Sequence, residues 1–204
     1  DFAEHKIGKY LSVSETAYED IPEDALEKLS ASLLDFFHDR LKVQLKDSGI
    51  RHDVINAVIA DGDDDIWRIV ARAKALQEFL QTEDSVNLLA AYKRAANIVA
   101  AEEKKDKVSY GGKKLDLASL EQPEEKTLLS LLEKLEKELN TLKKQEKFTE
   151  AMGRLAELRQ PLDNFFEKIM VNCEKKELRS ARLYLLSSLK MIMDSVADFA
   201  QIEG

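Results

Sequence analysis

Apolar residues recur along this chain at steps of three and four, in stretches separated by breaks rich in Asp, Gly or Pro, and that spacing is the mark of amphipathic helices. Asp20-Ile21-Pro22-Glu23-Asp24 is a helix start, with Pro near the first turn and acids at the positive end of the helix dipole. The helix it opens runs to about Lys46, carries an apolar face of Leu26, Leu29, Leu33, Phe37, Leu41 and Leu45, and stops near Gly49. A short helix from Asp53 to Ala60, capped by Asp53, carries Val54, Ile55, Val58 and Ile59. Asp61-Gly62 ends it, and Asp63-Asp64-Asp65 starts the next, with Ile66, Ile69, Ala73, Leu76 and Leu80 inside. Thr82-Glu83-Asp84 caps a fourth helix that reaches about Glu103.

Lys104 to Gln122, Lys-rich and holding Gly111-Gly112, is the weakest stretch for regular structure, and loops of that length are often functional or mobile. Pro123-Glu124-Glu125 then opens a helix with a bundle-like seam of Leu128, Leu132, Leu135, Leu139 and Leu142. Shorter helices follow around Glu150–Leu158 and Pro161–Ile169. A last long one fills Glu174–Ala200, with Leu178, Arg182, Leu185, Leu189, Ile192, Val196 and Phe199 on one seam. The fold expected is all-α, a bundle of about seven or eight helices. Residues 1–20 read as a linker or the edge of a preceding domain, and residues 21–204 as the helical domain.

Composition narrows the function. Seven Gly and three Pro in 204 residues favour long helices over a turn-rich sheet. No apolar run is long enough to cross a bilayer, and the start, Asp1-Phe2-Ala3-Glu4, has neither a signal-peptide order nor an initiator Met, so the chain reads as a piece of a longer protein. One cysteine, Cys173, points to a reducing compartment, the cytoplasm by default. The net charge of −8 excludes a generally basic nucleic-acid binder, so any RNA contact has to use a local patch.

Candidate sites are few. His52-Asp53 would need more imidazoles than His5 and His38 to hold a metal, and Asp61-Gly62-Asp63-Asp64-Asp65 has the wrong order for a calcium loop. No phosphate loop or nucleophile elbow is present, and Cys173 lacks an evident base, so neither a catalytic residue nor a metal site is expected. More informative is the helix around Tyr92-Lys93-Arg94-Ala95-Ala96-Asn97-Ile98. At ~100° per residue, Lys93, Arg94, Asn97 and Lys104 share an arc with Ala90, Ala100 and Ala101, while Leu88, Leu89, Tyr92 and Val99 lie opposite. Small residues allow close approach, Lys and Arg hold phosphates, and Asn can read a base edge. Arg182 stands where a core residue belongs and is expected to be architectural, with Arg179, off the seam, the freer of the two.

Six blocks in order carry a resemblance. They are Leu34-Asp35-Phe36-Phe37-His38-Asp39-Arg40-Leu41, Arg72-Ala73-Lys74-Ala75-Leu76, Tyr92-Lys93-Arg94-Ala95-Ala96-Asn97-Ile98, Glu121-Gln122-Pro123-Glu124-Glu125, Phe165-Phe166-Glu167-Lys168-Ile169-Met170-Val171-Asn172, and Glu177-Leu178-Arg179-Ser180-Ala181-Arg182-Leu183 with Ala197-Asp198-Phe199. Together they resemble the DALR-type anticodon-binding domain in the version carried by the beta subunit of bacterial glycyl-tRNA synthetase. That resemblance implies a class II synthetase whose alpha subunit uses ATP and Mg to activate glycine, while the beta subunit grips tRNA-Gly. It implies no cofactor in this part, and as partners the alpha subunit, the rest of the beta subunit and tRNA-Gly, with no membrane and no DNA. Lys93, Arg94 and Asn97 are then the first candidates for tRNA contact, and Arg72, Lys74 and Arg179 the second, with phosphate as their target. An acidic helical adapter that binds another protein is the alternative, and it predicts an exposed apolar strip instead of a basic one.

Overall fold

A computed structural model describes residues 24–59, 63–112 and 115–203. Among these residues every regular element is helical: α1 (Ala25–Asp47), α2 (His52–Val58), α3 (Ile66–Phe79), α4 (Glu83–Asp106), α5 (Pro123–Lys144), α6 (Phe148–Ala156), α7 (Arg159–Lys168) and α8 (Lys176–Asp194). Short 3-10 turns occupy Leu117–Ser119 and Phe199–Gln201. The protein is all-α. No described helix is long and apolar enough to cross a membrane.

The chain divides into two compact units, Asp1–Leu41 and Lys42–Gly204, so the division falls inside α1, whereas the sequence reading put a boundary near residue 20. The expected linker, residues 1–20, lies outside the described residues. In the first unit the described residues are those of α1 and its leading turn. The apolar face expected there is mostly uncovered: Leu29, Leu33 and Phe37 are exposed, and the Leu26 side chain lies outside the described ones. Nothing else described in that unit could cover them. Leu41 and Leu45, the last two positions of the face, are buried.

In the second unit the core is built around α4, α5 and α8. α8 packs on α4 and α5, α7 lies on both α4 and α5, and α6 bridges α3 and α5. The seam of α5 is buried at Leu128, Leu132, Leu135 and Leu139, and that of α8 at Leu178, Leu185, Leu189, Val196 and Phe199. Each such side chain contributes roughly 1.5–3 kcal/mol relative to exposure, which makes this seam the main source of cohesion. Tyr92 of α4 is fully buried, sits 5.8 Å from the Phe199 ring and donates its hydroxyl to Asp194 at 2.6 Å. Burial, and then the neighbouring Asp194 carboxylate, push the Tyr92 phenol above its ordinary range, so it remains a donor.

Helix ends differ from the sequence reading where long-range bonds intervene. The last helix stops at Asp194 and not at Ala200, because the backbone N–H of Asp198 donates 2.8 Å to the Ala57 carbonyl and turns the tail onto α2. Asp53 is buried inside the first turn of α2 and is not its cap, a position held by Arg51. Of the acidic run, Asp61 and Gly62 fall outside the described residues, while Asp65 caps α3 by accepting from the Arg68 N–H at 3.0 Å. The long loop after α4 is pinned in its described parts. Tyr110, Leu115 and Leu120 are buried, and the Tyr110 ring meets Tyr184 of α8 edge-on at 5.2 Å.

The start of α5 depends on one carboxylate. Glu125, with no exposed surface, accepts at Oε2 from the backbone N–H groups of Glu121 and Gln122 at 2.9 and 2.8 Å. Its Oε1 accepts from Nε of Arg182 at 2.5 Å, and Nη1 of Arg182 donates 2.8 Å to the Met170 carbonyl. A buried charge stripped of its partner is costly, so Glu125→Ala is expected to lower unfolding free energy by about 3–5 kcal/mol in a urea titration. Replacing Glu125 and Arg182 together by apolar residues of similar size should cost clearly less than Glu125→Ala, and equal losses would refute the pairing.

Candidate nucleic-acid interface

α4 carries the candidate site, and its own sequence makes it two-sided. Thr82 caps it by accepting from the Ser85 N–H at 3.2 Å, Glu83 and Asp84 occupy its first turn, and Lys104 and Lys105 its last. Leu88, Leu89, Tyr92, Ala95 and Val99 are buried. Ala90, Arg94, Asn97, Ala100, Ala101 and Lys104 are exposed on the other side, with Lys93 half-buried at its edge. Alanines at the exposed positions leave the helix backbone open to close approach by a planar group.

Two grooves flank this face, and Ala90 lines both. The first, about 490 Å³, lies between α4 and the C-terminal tail, with Lys93 on one wall and Arg51, Ile202 and Glu203 on the other. That second wall is latched: Asp53 accepts from the Glu203 N–H at 2.8 Å, and the Arg51 guanidinium bonds both Asp53 and the Glu203 carbonyl, the latter at 3.0 Å. Burial pushes the Asp53 carboxyl up, but Arg51 and the N–H groups of Glu203 and Val54 outweigh it and hold the carboxyl below its ordinary value.

The second groove, about 550 Å³, lies between α4 and α7. Its floor is Ala90 and Ala91, and at one wall the Arg94 guanidinium sits 4.3 Å from the centroid of the Phe166 ring. Such stacking holds the flat guanidinium in place without neutralising it. Arg159, Asp163 and Glu167 complete the α7 side, where Arg159 pairs with Asp84 and lies 3.9 Å from Asp163.

The structure brings Lys93, Arg94 and Asn97 together and leaves the other candidates elsewhere, so the six do not converge on one spot. Lys74 is exposed on α3. Arg72 is turned to Asp63 at 2.5 Å, an ion pair it shares with Arg68 at 3.3 Å. Arg179, expected to be the freer arginine of α8, is the most heavily bonded: it reaches Glu102, Asp106 at 2.6 Å, the Asn172 amide at 3.3 Å and the Tyr110 hydroxyl at 3.5 Å. Hydrogen bonds to Asp106 and Glu102 raise its pKa, while Arg179 lowers that of Glu102, and the Tyr110 hydroxyl and then Arg179 lower that of Asp106. The cause is the run of α4 to Asp106: its extra turn brings Asp106 to the same arginine that Glu102, one turn earlier, already holds. Arg182 is buried on Glu125. Lys93, Lys74 and Lys104 form no ion pair among the described residues.

Phe166 was not singled out from sequence, although the Phe165-Phe166 doublet holds the signal. Adjacent helix positions differ by ~100°, so when Phe165 is fully buried its neighbour must face sideways, toward α4. Trp67, on the first turn of α3, is 84% exposed and equally went unread. Among the described residues no group of three or more His, Cys, Asp or Glu side chains is arranged to hold a metal, and Cys173 donates only a 3.5 Å contact to the Lys175 carbonyl.

Comparison with known proteins gives this face its context. Residues 88–203, from within α4 to the latched tail, match the family described as the DALR anticodon binding domain. The chain belongs to that family. It is also 47% identical over 185 residues, 90% of its length, to the glycine–tRNA ligase beta subunit of Rhodospirillum centenum, and covers 26% of that relative. The beta subunits of Ruegeria sp. and Phenylobacterium zucineum are each 46% identical, over 85% and 86% of this chain and 25% and 26% of their own lengths. The chain thus spans about a quarter of the curated relatives it matches.

The latch of this DALR domain yields a pH-dependent prediction. Because the folded Asp53 pKa is depressed below its ordinary 3.8, its contribution is complete above that value and is lost as pH falls through the lower folded one. Asp53→Asn removes the charge at every pH. Near neutrality, amide exchange at Glu203 is expected to quicken about tenfold in Asp53→Asn, for the loss of one charged hydrogen bond. The gap between wild type and variant should close once the medium is acid enough to protonate Asp53, and a gap that persists there would exclude the carboxylate as its source.

Proposed function

We propose that this chain is the tRNA anticodon-region binding module of a glycine–tRNA ligase beta subunit, and that it supports ATP-dependent glycylation of tRNA-Gly in a cytoplasmic alpha/beta enzyme. In this reading the chain itself holds no cofactor, since ATP and Mg belong to the alpha subunit, and its partners are tRNA-Gly, the alpha subunit and the rest of the beta subunit. Neither membrane nor DNA enters.

The observation that carries the reading is the exposed side of α4, which lies within the family match and presents Lys93, Arg94 and Asn97 among alanines. Unpaired loop bases can lie on such a surface and be stacked or hydrogen-bonded at their edges, while the cations hold the backbone. Lys93 serves phosphate, Arg94 offers its charged plane to a base, and Asn97 serves a base edge. Lys74 on α3 could add a phosphate contact, whereas Arg72 and Arg179 act by keeping α3, α4 and α8 in place. The adapter reading draws support from the exposed Leu29, Leu33, Phe36 and Phe37, yet it gives no account of the anticodon-binding family match.

The test is binding of tRNA-Gly and of an anticodon-swapped tRNA by the full-length protein at two salt concentrations. Lys93→Gln and Arg94→Gln are each expected to weaken both RNAs alike, and Lys93→Gln also to reduce the salt slope by about one ion. Asn97→Ala should instead narrow the difference between the two RNAs. Equal affinity of the unaltered protein for both would remove the anticodon role.

A further inference from the structure

The groove between α4 and α7 has a chemistry that α4 alone does not. Its two ends are a stacking plane and a mixed hydrogen-bonding edge. The plane is Arg94, held 4.3 Å above the Phe166 centroid and exposed on its outer side. Ala90 and Ala91 keep the floor free of bulk. On α7, flanking Phe166 in sequence, stand the carboxylates of Asp163 and Glu167, both exposed, with the Arg159 guanidinium 3.9 Å from Asp163. Asn87 adds an amide on the α4 side.

A phosphate does not suit this place. Two exposed carboxylates line the space, and Arg159, one turn before Asp163 on the same helix, is already paired with Asp84 and lies 3.9 Å from Asp163. A flat ring that donates hydrogen bonds does suit it. Stacking on Arg94 needs only a π-face, which every base has, so the plane supplies affinity without choice. Choice has to come from the carboxylates, which are acceptors only and satisfy an exocyclic amino group.

We propose that the α4–α7 groove is a single-base pocket that selects an unstacked nucleobase carrying an amino group on its pairing edge over uracil. The base stacks on Arg94, and Asp163 and Glu167 accept from its amino hydrogens. This rests on the anticodon-binding reading above and assigns the discriminating step to α7, in addition to Asn97. It also gives a reason for acidic side chains on the rim of an RNA site: the pairing edge of uracil carries two carbonyl oxygens and no amine, and two carboxylates repel those oxygens.

The experiment uses the full-length protein with its partner subunit. All glycine codons begin with two guanines, so the tRNA-Gly anticodon has two cytosines, and each is replaced by uracil in turn, converting an amino group to a carbonyl. Wild-type protein is expected to bind at least one uracil-substituted tRNA about tenfold more weakly, in line with the loss of one good edge contact. Asp163→Asn and Glu167→Gln, surface changes that add an amide donor, should recover most of that tenfold for the same tRNA while binding the unsubstituted one no better. If both variants discriminate as well as wild type, the pocket assignment is overturned and the anticodon reading stands. If wild type fails to distinguish either uracil tRNA or an anticodon-swapped one from tRNA-Gly, both fall together.

Discussion

The buried pair of Glu125 and Arg182 governs more of this domain than any other polar contact. One carboxylate closes the first turn of α5, fixes the loop exit at Glu121 and Gln122, and neutralises an arginine on the apolar seam of α8. The arginine in turn holds the Met170 carbonyl, just beyond the end of α7. Three helices are thereby indexed to one point. The consequence reaches the exposed side of α4, because α7 carries Phe166 and Phe166 supports Arg94. A pair in that position is better understood as a device for register than as a source of net stability, since desolvation consumes much of its Coulomb gain.

That an arginine on the α8 seam should be anchored is legible from periodicity alone, because an unpaired charge there is too costly. Its partner is not legible: Glu125 reads locally as a helix-start acid, and 57 positions separate the two. Arg179 shows the opposite failure. Its position off the seam suggests solvent, but α4 continues past Glu103 to Asp106, and its last turns put two carboxylates against that arginine. Asp53 was readable as a helix-start residue, whereas its bond to the Glu203 N–H depends on the tail returning to α2. Helices, seams and the two-sidedness of α4 follow from local pattern. Which charges are spent on one another follows from packing, and no spacing rule contains that information.

The same distinction explains why the candidate site shrank from six residues to three. Arginine pairs readily with carboxylates, and in this domain Arg51, Arg72, Arg159, Arg179 and Arg182 are each bonded to at least one. Arg94 escapes because its neighbour is an aromatic ring and not an acid. Its charge is retained, its plane is fixed, and its outer face is open.

A net charge of −8 then becomes part of the binding logic and not an objection to it. A polyanion approaching this domain gains little from its long-range field, and beyond about 8 Å at physiological ionic strength that field is screened in any case. Under the proposed function, affinity has to come from contacts made at close range, on Lys93, Arg94 and the alanine surface between them. Contacts of that kind depend on the shape and edge of what is bound, whereas a broad basic face would hold any RNA nearly as well. An acidic bundle with one small cationic and aromatic face therefore sacrifices strength for selectivity. Under the proposed function that trade is coherent, because the chain matches about a quarter of its relatives' length and its task there is to discriminate, not to hold the whole RNA.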